Sequence, residues 1–321
     1  MKPRVLLLYF FICVAITATA QQSNRTVQQR CGTMQLLESR FERNPALRVN
    51  FENQRTRFNN AVREGAYKLS SRSGNGEGSA NRTAYTIPVV FHIVSKTPNG
   101  ITDAAILAQL DTLNKNFSGT NADSVKIPSY FKPLFGKTTI QFCLAQRTPG
   151  GANTTGIERI TTTQSSFTSN DAIKHAASGG ANIWSSDKYL NIWVGTLSNN
   201  LLGYSTFPDD GQPLEQGVVM DYRTLPGGTF AGYNSGKTLT HEVGHYFNLY
   251  HIWGDDDGAC SGTDYVGDTP NQYDASSSCY SGIKTDSCTK GGNGIMYQNY
   301  LDYSTDACMV MFTVQQVSRM E

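Results

Sequence analysis

Residues 241–251 read His-Glu-Val-Gly-His-Tyr-Phe-Asn-Leu-Tyr-His and hold three of the chain's five histidines. On a helix His241 and His245 lie on one face, a turn from each other. Two neutral imidazoles so placed can bind one zinc ion, and Glu242 can reach a water on that ion without binding the metal. His251 follows six residues after His245, and a helix continued that far would turn it away. The chain is therefore expected to bend sharply after His245. Asn248 is the expected bend, because Asn tolerates the left-handed conformation better than any residue but Gly. Ordinary surface histidines on an amphipathic helix are the plain alternative. A third histidine and a Glu in the base position argue against it.

The 321 residues are 39% hydrophobic and 17% charged, with net charge +1, a globular composition with room for one large core and a smaller appendage. Near-neutral charge gives no support for nucleic acid or an anionic membrane surface as partner. Residues 1–20 are expected to be a signal peptide: Lys2 and Arg4, an apolar run from Val5 to Ile16, then Ala18-Thr19-Ala20. The run is short for a membrane anchor. The protein is expected outside the cell, as a monomer. Of seven cysteines, Cys13 would leave with the signal, Cys31 and Cys143 stand alone, and Cys260, Cys279, Cys288 and Cys308 cluster. In an oxidising compartment the cluster reads as two disulfides in any of three pairings, with a second zinc site as the alternative.

In chain order, Gln21 to about Gly65 suggests short amphipathic helices without a large core of their own, opening on Arg30-Cys31-Gly32-Thr33. Ser70 to Asn81 reads as a flexible linker and domain boundary. Strands are expected at Thr86–Val94, Thr138–Ala145, Leu190–Val194, Gly217–Tyr222 and, as an edge, Leu202–Phe207. Helices are expected from Thr102 to Phe117, at Asp171–Ala177, at the His241 stretch and at Met309–Glu321. The loose alternation reads as an α/β sheet. Gly254 to Gly294 lacks periodicity. A stretch that long needs staples or ions. Asp255, Asp256, Asp257, Asp264, Asp268 and Thr269 offer oxygens suited to Ca²⁺, unless this is simply a solvated acidic loop.

Three histidines leave one zinc position open. Zinc would acidify a water and polarise a carbonyl, and Glu242 would act as general base, so amide hydrolysis is the reaction class.

The stretch 241–251 resembles the long zinc signature of the metzincin metallopeptidases. Residues 87–92 (Ile-Pro-Val-Val-Phe-His), 251–255 (His-Ile-Trp-Gly-Asp), 266–270 (Val-Gly-Asp-Thr-Pro) and 299–304 (Asn-Tyr-Leu-Asp-Tyr-Ser) narrow the likeness to the pappalysin branch and its bacterial secreted members. The resemblance implies an α/β fold with a twisted, mostly parallel five-stranded sheet, an active-site helix, and a loop-rich, disulfide-stapled C-terminal subdomain. It implies a catalytic domain over 81–321, its upper part ending at 251 and its subdomain spanning 252–321. Residues 21–80 would be an inhibitory pro-segment and linker, with Cys31 on the zinc of the latent form. A spare thiol, or a disulfide to Cys143, is the competing reading of Cys31.

The resemblance further implies that Tyr303 assists at the developing oxyanion, against a bland reading as a core aromatic. It implies the pairs Cys260–Cys288 and Cys279–Cys308, and calcium near Asp264, Gly267 and Thr269. The turn that carries a methionine beneath the zinc in the family has Leu301 here, with Met296 nearby; Leu keeps volume and apolarity. Some members cut before Arg or Lys, for which Asp306 is the candidate specificity residue. Arg72 or Arg82 is the candidate activation point. Peptide or protein substrates would lie along Leu202, Gly203 and Tyr204 by strand addition. His92 and His175 are read as structural. The rivals are a secreted zinc-containing binding protein without catalysis and a zinc amidase on a non-peptide substrate.

Overall fold

The computed structural model describes residues 30–63, 83–208 and 210–321. The expected signal peptide, Arg72 and Arg82 lie outside these residues. Among the described residues no helix is long and apolar enough to cross a membrane.

Two helices open the described chain, α1 (Thr33–Arg43) and α2 (Pro45–Arg63). Pro45 suits a first helical turn, where its missing N–H would have no partner anyway. Leu36, Leu37 and Phe41 form the buried stripe of α1, while α2 buries only Leu47 and Phe51. With so little apolar surface the pair borrows its core: Leu37, Phe41, Leu47 and Phe51 pack on Phe207 and Tyr250.

The sheet follows, built from β1 (Tyr85–Ser95), β3 (Ile140–Leu144), β4 (Ile157–Thr161), β5 (Leu190–Gly195), β6 (Gly203–Ser205) and β7 (Val218–Asp221); helix α3 (Asp103–Ser118) comes after β1, and the short β2 (Phe135–Gly136) lies outside the sheet, paired antiparallel with a strand near the C-terminus. Its order is β3-β1-β5-β7-β6. Every pairing is parallel except β6 with β7, which puts an antiparallel strand at the edge. The sheet is five strands wide, but a sixth strand was not foreseen. The first half of β1 (Tyr85–Val89) pairs with β3 and its second half (Phe91–Ser95) with β4. β4 reads Ile-Glu-Arg-Ile-Thr and shows no apolar run, because Glu158 meets His92 at 2.7 Å and Arg159 meets Asp103 at 2.5 Å.

Thr102 caps α3 by accepting the Ala105 N–H, and left-handed Gly119 ends it. Ile106, Leu110, Leu113 and Phe117 of α3 share one core with Val89, Ile192, Val218 and Val243. Helix α4 (Lys237–Tyr246) lies in that core, joined to α3 by a 2.8 Å bond from Asn116 to Thr240.

Beyond α4 the chain has no helix or strand from Gly254 to Gly294. The bonds Cys260–Cys288 and Cys279–Cys308 cross over this stretch, leaving no cysteine cluster for a second zinc. Cys31 and Cys143 stay outside both. Two helix expectations need correction. Asp171–Ala177 forms two single 3₁₀ turns, because left-handed Asp171 turns back to bind Lys174. The last helix, α5 (Val314–Met320), starts after β8 (Phe312–Thr313), at a capping box between Thr313 and Gln316.

Candidate active site

The bend after α4 is a Schellman closure. Asn248, at φ 69°, donates its N–H to His245 O (2.9 Å), and Leu249 N–H reaches back to Gly244 O (3.0 Å). This reversal carries His251 back to α4. The Nε2 atoms of His241 and His251 each stand 3.1 Å from that of His245. Every Nδ1 faces an acceptor: Tyr300 O at 2.7 Å for His241, Leu249 O at 2.7 Å for His245, and the Asp255 carboxylate at 2.9 Å for His251. The Nδ1 atoms therefore carry the protons, and three Nε2 lone pairs converge. Such a cluster fits a cation. Asp255, counted among the calcium oxygens in the sequence reading, instead orients a histidine. Burial and the neighbouring imidazoles lower His241 to about 3 and hold His245 well below its ordinary value, which keeps both rings neutral.

Cys31 completes the cluster. Its Sγ and a ring nitrogen of each histidine all lie within 4.8 Å of one another, the one group of this kind among the described residues. The segment before α1 is laid on the edge strand. Leu202 N–H donates to Arg30 O (2.8 Å), Gly32 N–H donates to Gly203 O (2.9 Å), and Cys31 runs parallel to Gly203. Thr33, a residue the sequence reading did not assign, receives the Ser205 N–H at 2.8 Å and donates to Glu242 Oε2 at 3.1 Å. The Cys31 thiol lies 3.3 Å from the same oxygen. Glu242 is fully buried, Oε1 has no partner among the described residues, and burial pushes its carboxyl up to about 8. Gly203 makes this packing possible: a Cβ there would lie 2.8 Å from Val219 O and 2.9 Å from Glu242 Cγ.

Tyr303 stands with its ring 5.7 Å from His241 and 5.0 Å from His251, and its hydroxyl donates to Cys31 O at 3.4 Å. Trp253 stacks on His251 at 4.2 Å. Leu301 is fully buried under α4, where its Cδ2 would be 3.0 Å from a Cβ on Gly244, so the turn keeps its place with Leu. Met296 is also buried.

Asp306 lines a cavity with Arg30, Tyr233, His241, Glu242 and Tyr303. Its Oδ2 accepts Ser235 N–H at 2.7 Å, and its Oδ1 is buried with no partner among the described residues. Burial raises this carboxyl to about 6. The Arg30 guanidinium stacks on Tyr233 at 4.4 Å and donates to Tyr303 O.

The expected calcium residues are engaged by their own loop. Asp264 accepts the Thr269 hydroxyl (2.7 Å), Gly267 N–H donates to Gln315 Oε1 (2.7 Å), and Asp268 caps α5 at Thr313 and Gln315. Burial drives the Asp264 carboxyl to about 7. Of the two histidines read as structural, His92 is buried between Glu158 and Asn191, and half-exposed His175 meets Glu215.

Known proteins resemble this chain in sequence and in fold. The Peptidase_M43 family model, described as pregnancy-associated plasma protein-A, matches residues 174–321. An extracellular metalloprotease of Arthroderma benhamiae is 31% identical over 266 residues, covering 80% of this chain and 79% of its own. Mature mirolysin of Tannerella forsythia, solved in complex with a cleaved peptide, is 45% identical with a TM-score of 0.73 over 75% of this chain and 91% of that one. A promirolysin mutant from the same organism is 41% identical with a TM-score of 0.76, over 91% and 92% of the two chains. The chain belongs to the M43 metallopeptidases, and it is a secreted zinc metalloendopeptidase akin to mirolysin.

Proposed function

We propose that the protein is a latent endopeptidase in which Glu242 is the general base and residues 21–80 form an inhibitory pro-segment. The observation that carries this is the convergence of His241, His245 and His251 beside Glu242, with Cys31 and Thr33 seated on the Glu242 carboxylate. Held by the three histidines, zinc supplies a Lewis acid that acidifies water and polarises the scissile carbonyl. Glu242 takes the water's proton and delivers it to the leaving amine. Tyr303, its hydroxyl now on Cys31 O, turns to the developing oxyanion once that carbonyl is gone. In the latent form the Cys31 thiol would join His241, His245 and His251 in holding the metal. The pro-segment's parallel run on β6 supports its being a poor substrate, since substrate added antiparallel would pass Glu242 in the opposite sense.

Substrate pairs with Leu202, Gly203 and Tyr204. Its residue after the scissile bond enters the Asp306 cavity, where the unmatched Oδ1 favours Arg or Lys. A cut at Arg72 or Arg82 releases the pro-segment. Calcium at Asp264, Gly267 and Thr269 belongs to the same reading, supported by a buried carboxyl with Asp268 beside it. Digestion of a labelled protein mixture by linker-cut wild type, and its disappearance in Glu242→Ala, is the expected result. No cleavage by linker-cut wild type sinks the proposal. Latency is tested separately: Cys31→Ala should raise zymogen activity, and an unchanged activation rate removes Cys31 from the account.

A further inference from the structure

Arg40, on α1, is 4% exposed and ends in a socket of three carboxylates. Its guanidinium meets Asp171 at 2.8 Å and Glu215 at 2.5 Å, and also bonds Asp210. Other groups fix the acceptors. Lys174 Nζ holds Asp171 Oδ1 at 2.9 Å and Glu215 O at 2.6 Å, while Gln216 Nε2 and the Gln212 N–H donate to Asp210 Oδ1. The carboxylates come from separate places, Asp171 from the loop before its 3₁₀ turn, Asp210 and Glu215 from the connection between β6 and β7. All of them belong to the body of the enzyme, and only the guanidinium comes from α1.

We infer that this socket is a guanidinium-binding subsite of the mature enzyme, filled by Arg40 in the latent chain and by a substrate arginine afterwards. The inference rests on the pro-segment leaving, as proposed above. Removing α1 takes away the element through which the guanidinium enters, so the opening faces the space α1 vacates. It also leaves three carboxyl groups around one lysine in a pocket shaped around a planar fork, with Asp210 raised by burial to about 6 even while Arg40 is present. Three acceptors around one fork favour Arg over Lys, whose ammonium is a point charge.

The socket's place on the cleft follows from β6. Asp210 and Glu215 lie past its C-terminal end, whereas Arg30 and Asp306 lie on the other side of the histidines along the bound segment. A substrate antiparallel to β6 therefore brings residues N-terminal to its scissile bond towards the socket. From Thr33 to Arg40 a helix rises about 10 Å, which an extended strand covers in about three residues. The arginine read here would stand about three to five residues before the cut.

A peptide series with a fixed residue after the scissile bond and Arg, Lys or norleucine at those positions tests this with linker-cut enzyme. Arg should exceed norleucine in kcat/KM by about ten-fold at one position, with Lys between, as charge-assisted bonding predicts. The Arg-to-norleucine ratio should collapse in Asp210→Asn and in Glu215→Gln; being internal to each variant, it does not depend on how much of that variant folds. No Arg advantage in wild type, or one that survives both substitutions, overturns the inference. A second measurement needs no catalysis: the full Glu242→Ala chain is nicked in its linker by an added protease, and pro-segment dissociation is followed by native mass spectrometry. Arg40→Met should speed dissociation about ten-fold and Arg40→Lys less. Equal rates for Arg40 and Met would remove the socket altogether, while a slow wild-type rate without any Arg preference in peptides would confine it to the pro-segment and overturn the substrate subsite. Should no form cut any peptide, the peptidase reading fails, and the nicked chain still judges the socket.

Discussion

At the scale of single residues, the metal site depends on what stands behind each imidazole. His251 is oriented by the Asp255 carboxylate, the one charged group among the three Nδ1 partners. Asp255→Ala should weaken zinc affinity about 10- to 100-fold in competition with a chelator, with activity returning at saturating zinc. Asp306 obeys different physics. Its folded value of about 6 lies above the ordinary 3.8, so the fold prefers the neutral acid, and ionising it costs stability as pH climbs through that window. Asp306→Asn should therefore melt higher than wild type at pH 8, by the equivalent of about 2–3 kcal/mol. It should also lose any preference for Arg or Lys after the cut. In wild type that preference should fade below pH about 6, where Asp306 takes up its proton. The gathering of the three histidines was legible because helical spacing and a single bend bring them together. Thr33 and Arg40 were not, since a threonine and an arginine in a polar segment carry no signal until the partners that enclose them are known.

Elements were legible wherever one apolar period ran uninterrupted. β1 and β5 are buried through their centres and read as apolar runs, and α3 shows its buried face in Ile106, Leu110, Leu113 and Phe117. β4 was missed because its charges are satisfied by long-range partners, and the start of α5 because a capping box, rather than apolar spacing, sets it. The end of α4 could be placed from one residue, since φ 69° at Asn248 is the left-handed backbone expected there. Asn248→Gly should keep the melting temperature and zinc content near wild type. Asn248→Val should cost about 2 kcal/mol in chemical denaturation, since a β-branched residue resists that conformation.

For the whole molecule, stability is divided unevenly. The sheet and α3 share a broad apolar core, while residues 254–294 depend on crossed disulfides. Each bond closes a loop with a sequence separation of 28 or 29, so reduction should lower stability by about 3–4 kcal/mol per bond in the chain-entropy account. His241 leans on Tyr300 O, eight residues before Cys308, so reduction should also loosen zinc, measurable as faster chelator uptake. Calcium added to chelator-treated, zinc-restored protein should raise the melting temperature, and Asp264→Ala should cancel the rise. The absent side chain at Gly203 reaches further than any of these variants. β6 and the Glu242 side chain stand closer than a methyl at Gly203 would allow, so any side chain there should push the edge strand and the carboxylate apart. Selectivity built into this cleft therefore has its room at the two ends, at the Asp306 cavity and at the Arg40 socket, and none at the middle.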